Sequence, residues 1–384
     1  MASSRENDHQ IMGEALALAA RATGRTSPNP MVGAIVVDPQ GNITGRGWHE
    51  RAGSPHAEAL ALREAGEGAR GGTLFLTLEP CAHQGKTPPC APAVVEAGIS
   101  RVVAASGDPD PRVSGKGFQV LREGGVSVEV GLRAEEAVRL NEAFFVSVKE
   151  GRPFVTLKVA MSLDGKIAAR PGGDRWITSP ESRARAHEFR DRVDAILVGV
   201  ETILKDDPLL TARPEGREGK PLIRVVLDSR LRTPREARSL PPDRGVATII
   251  AATERIGPES GKELARAGAE VVRLPPDSQG RVALPPLLEE LGKRGVRHLL
   301  VEGGANVHAS FLKENLADKL MAFVAPMIIG DEGAPGAISG AEIDRMEADS
   351  RLVYVSHQRI DDDLLIEGYL RPPPWADAKE IPGV

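Results

Sequence analysis

From Ile11 to Ala22 the apolar residues recur at helical spacing and the run breaks near Gly24, which predicts a helix over that stretch. "SPNPMVGAIVVDPQGNITGRGWHE" then reads as two β-rich runs around a Gly-Asn turn, a predicted hairpin. "SPHAEALALREAGEGA" offers Ser54 as N-cap, Pro55 at the first helical position and Glu58 in the first turns, the signature of a helix start. Beyond it the strand-like "GTLFLTLEP", "SRVVAASGD" and "VSVEVG" alternate with the helix-like "PPCAPAVVEAGI" and "GKGFQVLREGG". That alternation predicts a layered α/β domain with a largely parallel sheet.

"NEAFFVSVKEGRP" places a Gly and a Pro before a fresh strand, "FVTLKVAMSLDGKIA", so the boundary falls near Lys149 to Arg152. We take 1–149 and 150–372 as domains. The second half restarts the alternation with "DAILVGVETIL", "PLIRVVLDSR", "ATIIAAT", "AEVVRLP", "VRHLLVEGG" and "LMAFVAPMIIG" as β-rich runs, and "LVYVSHQRIDDDLLIEGYL" closes it as an antiparallel hairpin. The proline-rich "RPPPWADAKEIPGV" predicts a flexible tail over 373–384. The aliphatic runs "MAFVAPMIIG" and "LLIEGYL" are the candidates for pairing across a homo-oligomer, a dimer or tetramer.

A chain of 384 residues exceeds what one core usually supports, which agrees with two domains. With 41% hydrophobic and 3% aromatic residues, those cores are expected to be aliphatic. The net charge of −5 and the lack of a Lys/Arg run argue against a nucleic-acid partner. The start does not read as a secretory signal, and no run of about eighteen apolar residues occurs, so the expectation is a soluble cytoplasmic protein without a membrane partner. Two cysteines are too few for a disulfide scaffold, which directs them toward metal or catalysis.

Both cysteines lie in "TLEPCAHQGKTPPC", downstream of the tripeptide His56-Ala57-Glu58. A catalytic zinc takes three protein ligands of nitrogen and sulfur and leaves a position for water, and His56, Cys81 and Cys90 make three. Zinc lowers the pKa of such a water to about 7, and Glu58 is placed to carry a proton from it to a departing amine. Nucleobase deaminases pair His-x-Glu with Pro-Cys-x-x-Cys; here eight residues, "AHQGKTPP", separate the cysteines. One reading makes that insert a loop bringing His83 and Lys86 to the substrate. Taken singly, each residue also has a plain structural reading: a helix-start histidine, a first-turn acid and buried small thiols.

With these residues in hand, the chain resembles the bifunctional deaminase/reductase family of riboflavin biosynthesis over nearly its whole length. "SPNPMVG", "HAE", "TLEPCAHQGKTPPC" and "DPDPRVSGKG" look like its deaminase half, in which the eight-residue gap is the normal one. The resemblance implies an α/β fold with an N-terminal cytidine-deaminase-like three-layer domain and a C-terminal dihydrofolate-reductase-like domain. It implies Zn2+ on His56, Cys81 and Cys90, Glu58 as proton donor, and Asn29 and His83 at the substrate. "LKVAMSLDGKIA", "RWITSPESR", "ILVGVETILKDDPLLTAR", "VVLDSR" and "VEGGANVHASFL" look like reductase segments that hold NADPH and a pyrimidine ribonucleotide. By that resemblance Ala160, Trp176, Thr202, Asp206, Ser229 and the run Gly304, Ala305, Asn306, Val307, His308, Ala309 and Ser310 contact the cofactor, with His308 near its phosphates. Lys158, Asp174, Arg190, Leu210, Arg213 and Glu302 contact the substrate.

Independently of the family, "RHLLVEGGANVHASFL" is strand, paired glycines and helix, a helix start that exposes N–H groups to a pyrophosphate. No G-x-G-x-x-G opens a helix, so this is not a Rossmann fingerprint. The Ser-Arg of "VLDSR" suits a 2′-phosphate, Arg190 and Arg213 are candidates to clamp the substrate phosphate together, and Lys158 sits on a strand facing a cleft. One of Asp206 and Asp207 is expected to cap a turn. Two other functions compete: a zinc deaminase of a free nucleoside or a tRNA base with a passive second half, and a nucleotide-binding scaffold with structural zinc closed by His49 or His83 as fourth ligand.

Overall fold

A computed structural model describes residues 2–84, 88–168, 176–257, 259–340, 351–377 and 381–383. The chain divides into two compact units, one comprising Met1–Gly151 with Pro373–Val384 and the other Arg152–Pro372.

The first unit runs α1 (Ala2–Ala20), β1 (Gly33–Val37), β2 (Ile43–Trp48), α2 (Ala57–Ala65), β3 (Thr73–Leu76), α3 (Cys90–Glu96), β4 (Arg101–Ala104), α4 (Lys116–Glu123), β5 (Ser127–Val130), α5 (Ala134–Leu140) and α6 (Glu142–Glu150). Its sheet has the order β2-β1-β3-β4-β5, with β1 antiparallel to both neighbours and β3, β4 and β5 parallel. Alternate residues of each strand feed opposite layers, as the pleat requires. Ala34, Val36, Leu74 and Leu76 pack with Ala57 and Ala61 of α2, Val94 of α3 and Leu121 of α4. Ile35, Val37 and Phe75 pack on the other face against Met12, Ala15 and Leu16 of α1 and Ala137 of α5. Because both faces are covered, the inner strands β1 and β3 read as continuous apolar runs.

α1 begins well before the predicted Ile11, because its polar lead-in carries no apolar stripe to reveal it. α2 begins later than predicted. Its N-cap is His56, in extended backbone, and Ser54 lies in the preceding turn, its N–H on the Arg51 carbonyl. Gly45 and Gly47 allow α2 to lie directly on β2: an added Cβ would sit 2.1 Å from the Ala61 carbonyl oxygen and 2.2 Å from that of Ala57. This close approach places His56 relative to the sheet.

The C-terminal segment is not a loose tail. Trp375 and Ile381 are buried, Arg139 lies 5.2 Å over the Trp375 ring, and the Pro382 carbonyl accepts from Gly107 N–H at 2.6 Å. Two apolar anchors in a proline-rich, polar context hold the segment to the first unit, a pairing that local composition does not reveal.

The second unit runs β6 (Phe154–Ser162), α7 (Pro180–Arg190), β7 (Ala195–Gly199), α8 (Val200–Asp206), β8 (Ile223–Leu227), β9 (Thr248–Thr253), α9 (Lys262–Arg266), β10 (Ala269–Leu274), α10 (Leu284–Lys293), β11 (His298–Val301), α11 (Ala305–Lys313), β12 (Lys319–Ala325), β13 (Val353–Ile360) and β14 (Asp363–Tyr369). Its sheet order is β10-β9-β8-β7-β11-β6-β12-β14-β13, parallel from β10 through β12 and antiparallel at the final hairpin. The run "DAILVGVETIL" splits into β7 and α8 with no loop between, so its second half is helix despite its β-branched content.

Asp318, at the foot of β12, closes this unit. Its carboxylate takes two bonds from Arg152, each 2.9 Å, one from the Val155 N–H at 2.7 Å and a further pair from Arg371. The first residues and the last residues of the unit are thereby tied to one buried acid.

β12 and β14, the runs expected to pair across an oligomer, are inner strands of the sheet. The edge on that side is β13, exposed along almost its whole length, and the opposite edge is β10. Among the described residues, no helix is long and apolar enough to cross a membrane.

Candidate active sites

His56, Cys81 and Cys90 converge in the first unit, their ligand atoms all within 4.8 Å of one another. His56 ends the extended approach to α2, Cys81 follows the strand β3 and Pro80, and Cys90 opens α3. His56 Nδ1 lies 3.6 Å from Cys81 Sγ and 3.3 Å from Cys90 Sγ. Zinc bonds of about 2.3 Å to sulfur and 2.0 Å to nitrogen at a tetrahedral angle separate S and N by about 3.5 Å, so the three side chains fit the ion without rearrangement. The Cys90 N–H donates to Cys81 Sγ at 3.4 Å, and the Ala91 N–H to the Cys81 carbonyl at 3.0 Å. A hydrogen bond from the Cys90 thiol holds the Cys81 thiol down to about 4, while the same contact and burial push Cys90 up.

Glu58 lies in the first turn of α2, buried, and burial raises its carboxyl above the ordinary range. His49 is not a fourth ligand. Its Nδ1–H donates to the Pro55 carbonyl at 3.2 Å, which leaves Nε2 to accept from the Asn29 amide at 3.2 Å. Its ring meets His56 edge-on at 5.4 Å, so Asn29 reaches the site through one intervening imidazole. His83 follows Cys81 closely, and its buried Nδ1 has no hydrogen-bond partner among the described residues. Lys86 lies outside the described residues.

Glu79 was not singled out from the sequence. Its carboxylate accepts from the backbone N–H groups of Asp108 (3.2 Å), Gly115 (3.0 Å), Gly117 (2.9 Å) and Phe118 (3.3 Å), which pins the "DPDPRVSGKG" loop beside Pro80 and Cys81. Burial lifts the nearby Asp108 carboxyl to about 7.

In the second unit a cavity of about 1550 Å³ opens at the carboxyl ends of the parallel strands, the usual ligand position in such sheets. Lys158 and Ala160 of β6, Trp176, Thr202 and Asp206, Leu210, Arg213, Ser229 and Glu302 all line it, together with Gly304 to His308 and Ser310. Gly304 caps α11 at φ 79°, a conformation open to glycine, and frees the first N–H groups of that helix toward the cavity. Ala309 is a correction: its side chain is buried and does not line the cavity, because each helical step turns the side chain by about 100°. His308 lines the cavity, with Nδ1 3.1 Å from the Ala337 carbonyl and Nε2 3.4 Å from that of Val301. Asp174 lies outside the described residues.

Arg190 and Glu302 form a bidentate pair at 2.6 Å in each bond, and a third N–H of Arg190 reaches the Thr211 carbonyl at 3.2 Å. Burial opposes ionisation of Glu302, yet the Arg190 charge and hydrogen bonds hold its carboxyl down at about 2. Arg190 is thus held by Glu302 while both, with Arg213, line the cavity. Burial lowers the Lys158 amine, with the Glu302 charge opposing. Of the two adjacent acids, Asp207 is the turn residue, at φ 41° with its carboxylate on the Arg238 N–H at 2.9 Å, and both line the cavity. Sequence reasoning passed over His187 and Arg183, which also line the cavity. Their i, i+4 and i, i+7 spacing from Arg183 through His187 to Arg190 is the signal that would have found them.

The model of the cytidine and deoxycytidylate deaminase zinc-binding region matches residues 5–106, and that of the RibD C-terminal domain matches residues 153–366. Together with the two sites, this defines a two-unit enzyme that joins a zinc-dependent deaminase to a dihydrofolate-reductase-like reductase. The riboflavin biosynthesis protein RibD of Aquifex aeolicus is 46% identical over 327 residues, 85% of this chain and 89% of that protein; the Escherichia coli protein is 39% identical over 340 residues, with 85% and 89% covered. Among solved structures, Acinetobacter baumannii RibD (form 2) matches with TM-score 0.84 at 34% identity, over 96% of this chain and 100% of that one. The diaminohydroxyphosphoribosylaminopyrimidine deaminase/5-amino-6-(5-phosphoribosylamino)uracil reductase of Thermotoga maritima matches with TM-score 0.80 at 34% identity, over 96% and 100%. The chain belongs to the RibD family of bifunctional riboflavin-biosynthesis enzymes, with zinc in the deaminase half and NADPH in the reductase half.

Proposed function

We propose that the first unit removes the exocyclic 2-amine of 2,5-diamino-6-ribosylamino-4(3H)-pyrimidinone 5′-phosphate and the second reduces the ribosyl group to ribityl, giving 5-amino-6-ribitylamino-uracil 5′-phosphate. The observation that carries this reading is the convergence of one imidazole and both thiols of the chain beside a buried carboxylate. His56, Cys81 and Cys90 would hold the zinc, which when bound would supply an acidified water for attack on the amidine-like ring carbon. Glu58 would accept a proton and return it to the departing nitrogen. Asn29, His83 and Lys86 orient the pyrimidine.

In the second unit NADPH supplies the hydride, so the protein's task is orientation. The N–H groups at the start of α11 receive the cofactor phosphates, with Thr202, Ser229, Trp176, Ala160 and Asp206 along its length. Lys158, Asp174, Leu210, Arg213 and the Arg190–Glu302 pair hold the substrate. Incubating the protein with the diaminopyrimidine phosphate tests the order of events. Ammonia is expected with or without NADPH, and NADPH oxidation only once the deaminated product is present. Oxidation that ignores that product would overturn the reading.

The assembly we infer is a cytoplasmic homo-oligomer, a dimer or tetramer, whose subunits pair along β13. The strand ends the sheet, and Val353, Tyr354 and Val355 are exposed on it. Light scattering after Val355→Glu should give half the wild-type mass. An unchanged mass would remove β13 from the interface.

A further inference from the structure

The stretch 107–118 leaves the carboxyl end of β4, the parallel neighbour of β3, and Cys81 leaves the same end of β3. Ligands bind at that end of parallel strands. Asp110 of this stretch feels the charge of His83, the residue expected at the pyrimidine. Whatever fixes these residues therefore shapes the surroundings of the zinc site.

Glu79 restrains the loop near both ends, through the N–H groups of Asp108 at 3.2 Å and Phe118 at 3.3 Å. The segment after Pro372 meets the same two ends. At the entry the Gly107 N–H donates to the Pro382 carbonyl at 2.6 Å, and the two backbones lie so close that a Cβ on Gly107 would come within 2.7 Å of that oxygen. At the exit Gly383 lies against Phe118 and Val130, where a Cβ on it would meet each side chain at 3.3 Å. Buried Trp375 and Ile381 anchor the segment, with the Trp375 indole N–H 3.5 Å from the Glu142 carboxylate.

We propose that Ile381, Pro382 and Gly383 form a strap that positions the loop 107–118 for deamination, although they follow the reductase unit in the chain. They are positioning residues, acting through Gly107 and Phe118. The inference rests on the deaminase reading of the first unit.

Two full-chain variants release the strap in different ways. Ile381→Asp places a charge at a buried apolar position, and Gly107→Ala pushes the Pro382 carbonyl away while both anchors stay intact. Each should raise KM for the diaminopyrimidine phosphate about tenfold, the weight of a lost backbone bond and a freed loop. Zinc should stay stoichiometric, and NADPH oxidation on supplied deaminated product should be unchanged. Hydrogen exchange of peptides spanning 107–118 should quicken in both variants, and Ile381→Val should behave as wild type. Because both changes break one contact, the double variant should be no worse than the weaker single one. Wild-type KM in a variant whose exchange has quickened, unchanged exchange in both, additive losses in the double variant, or lowered stability with KM held would each overturn the strap. A wild-type chain that releases no ammonia from the diaminopyrimidine phosphate would sink the deaminase reading instead, and quickened exchange in both variants would still show the strap holding the loop.

Discussion

Glu58→Gln is expected to slow ammonia release by about 10²- to 10⁴-fold, the range that positioned proton transfer contributes. The amide keeps the shape and burial of the side chain but offers no site to take a proton from water and return it to the leaving amine. The three ligand atoms come from His56, Cys81 and Cys90, so bound zinc should stay stoichiometric in the variant. NADPH oxidation in the presence of supplied deaminated product should be unchanged. Elemental analysis beside an ammonia assay reads the result. Loss of zinc together with activity would make Glu58 part of the metal shell, and unchanged activity would place the proton carrier elsewhere.

Asp318→Asn is expected to destabilise the second unit by about 3–5 kcal/mol, the cost of breaking a buried ion pair from one side. The carboxylate answers Arg152 and Arg371 as well as the Val155 N–H, and its side chain is only 3% exposed. The amide is nearly isosteric, so no cavity forms; what is lost is the negative charge between two guanidinia. An exposed pair such as Arg232 with Glu201 should cost no more than about 1 kcal/mol when broken the same way. Urea unfolding followed through NADP+ binding would measure the difference. A change in Asp318→Asn as small as that of the surface pair would show that Arg152 and Arg371 find solvent or other partners.

The parts of the site that were legible share a property: they depend on neighbours in the chain. His56 and Glu58 are two residues apart, Cys81 and Cys90 flank one loop, and the glycine pair before α11 marks a strand-to-helix turn wherever it folds. The strands of both sheets were visible because covered parallel strands are apolar throughout. Where the sequence was silent, the deciding partner was distant. His308 sits in the segment that resembles a phosphate loop, and its ring meets the carbonyl of Ala337, twenty-nine positions on. Nothing local says that Glu302, 112 residues away, would pair with Arg190. Glu79, between Leu78 and Pro80, has no local feature that announces four backbone donors gathered from another loop.

By itself, the amino-acid sequence determined the two α/β units, the zinc-binding residue types and the family to which the chain belongs, because periodicity, turn chemistry and motif spacing are properties of short segments. Only the tertiary structure decided that the last residues pack onto the first unit, that β13 and not β12 or β14 lies at a sheet edge, and that Arg190 meets Glu302. Those outcomes turn on which distant groups meet once the backbone is folded. Burial then makes each charge and each N–H take the partner within reach, and local sequence carries no record of that choice.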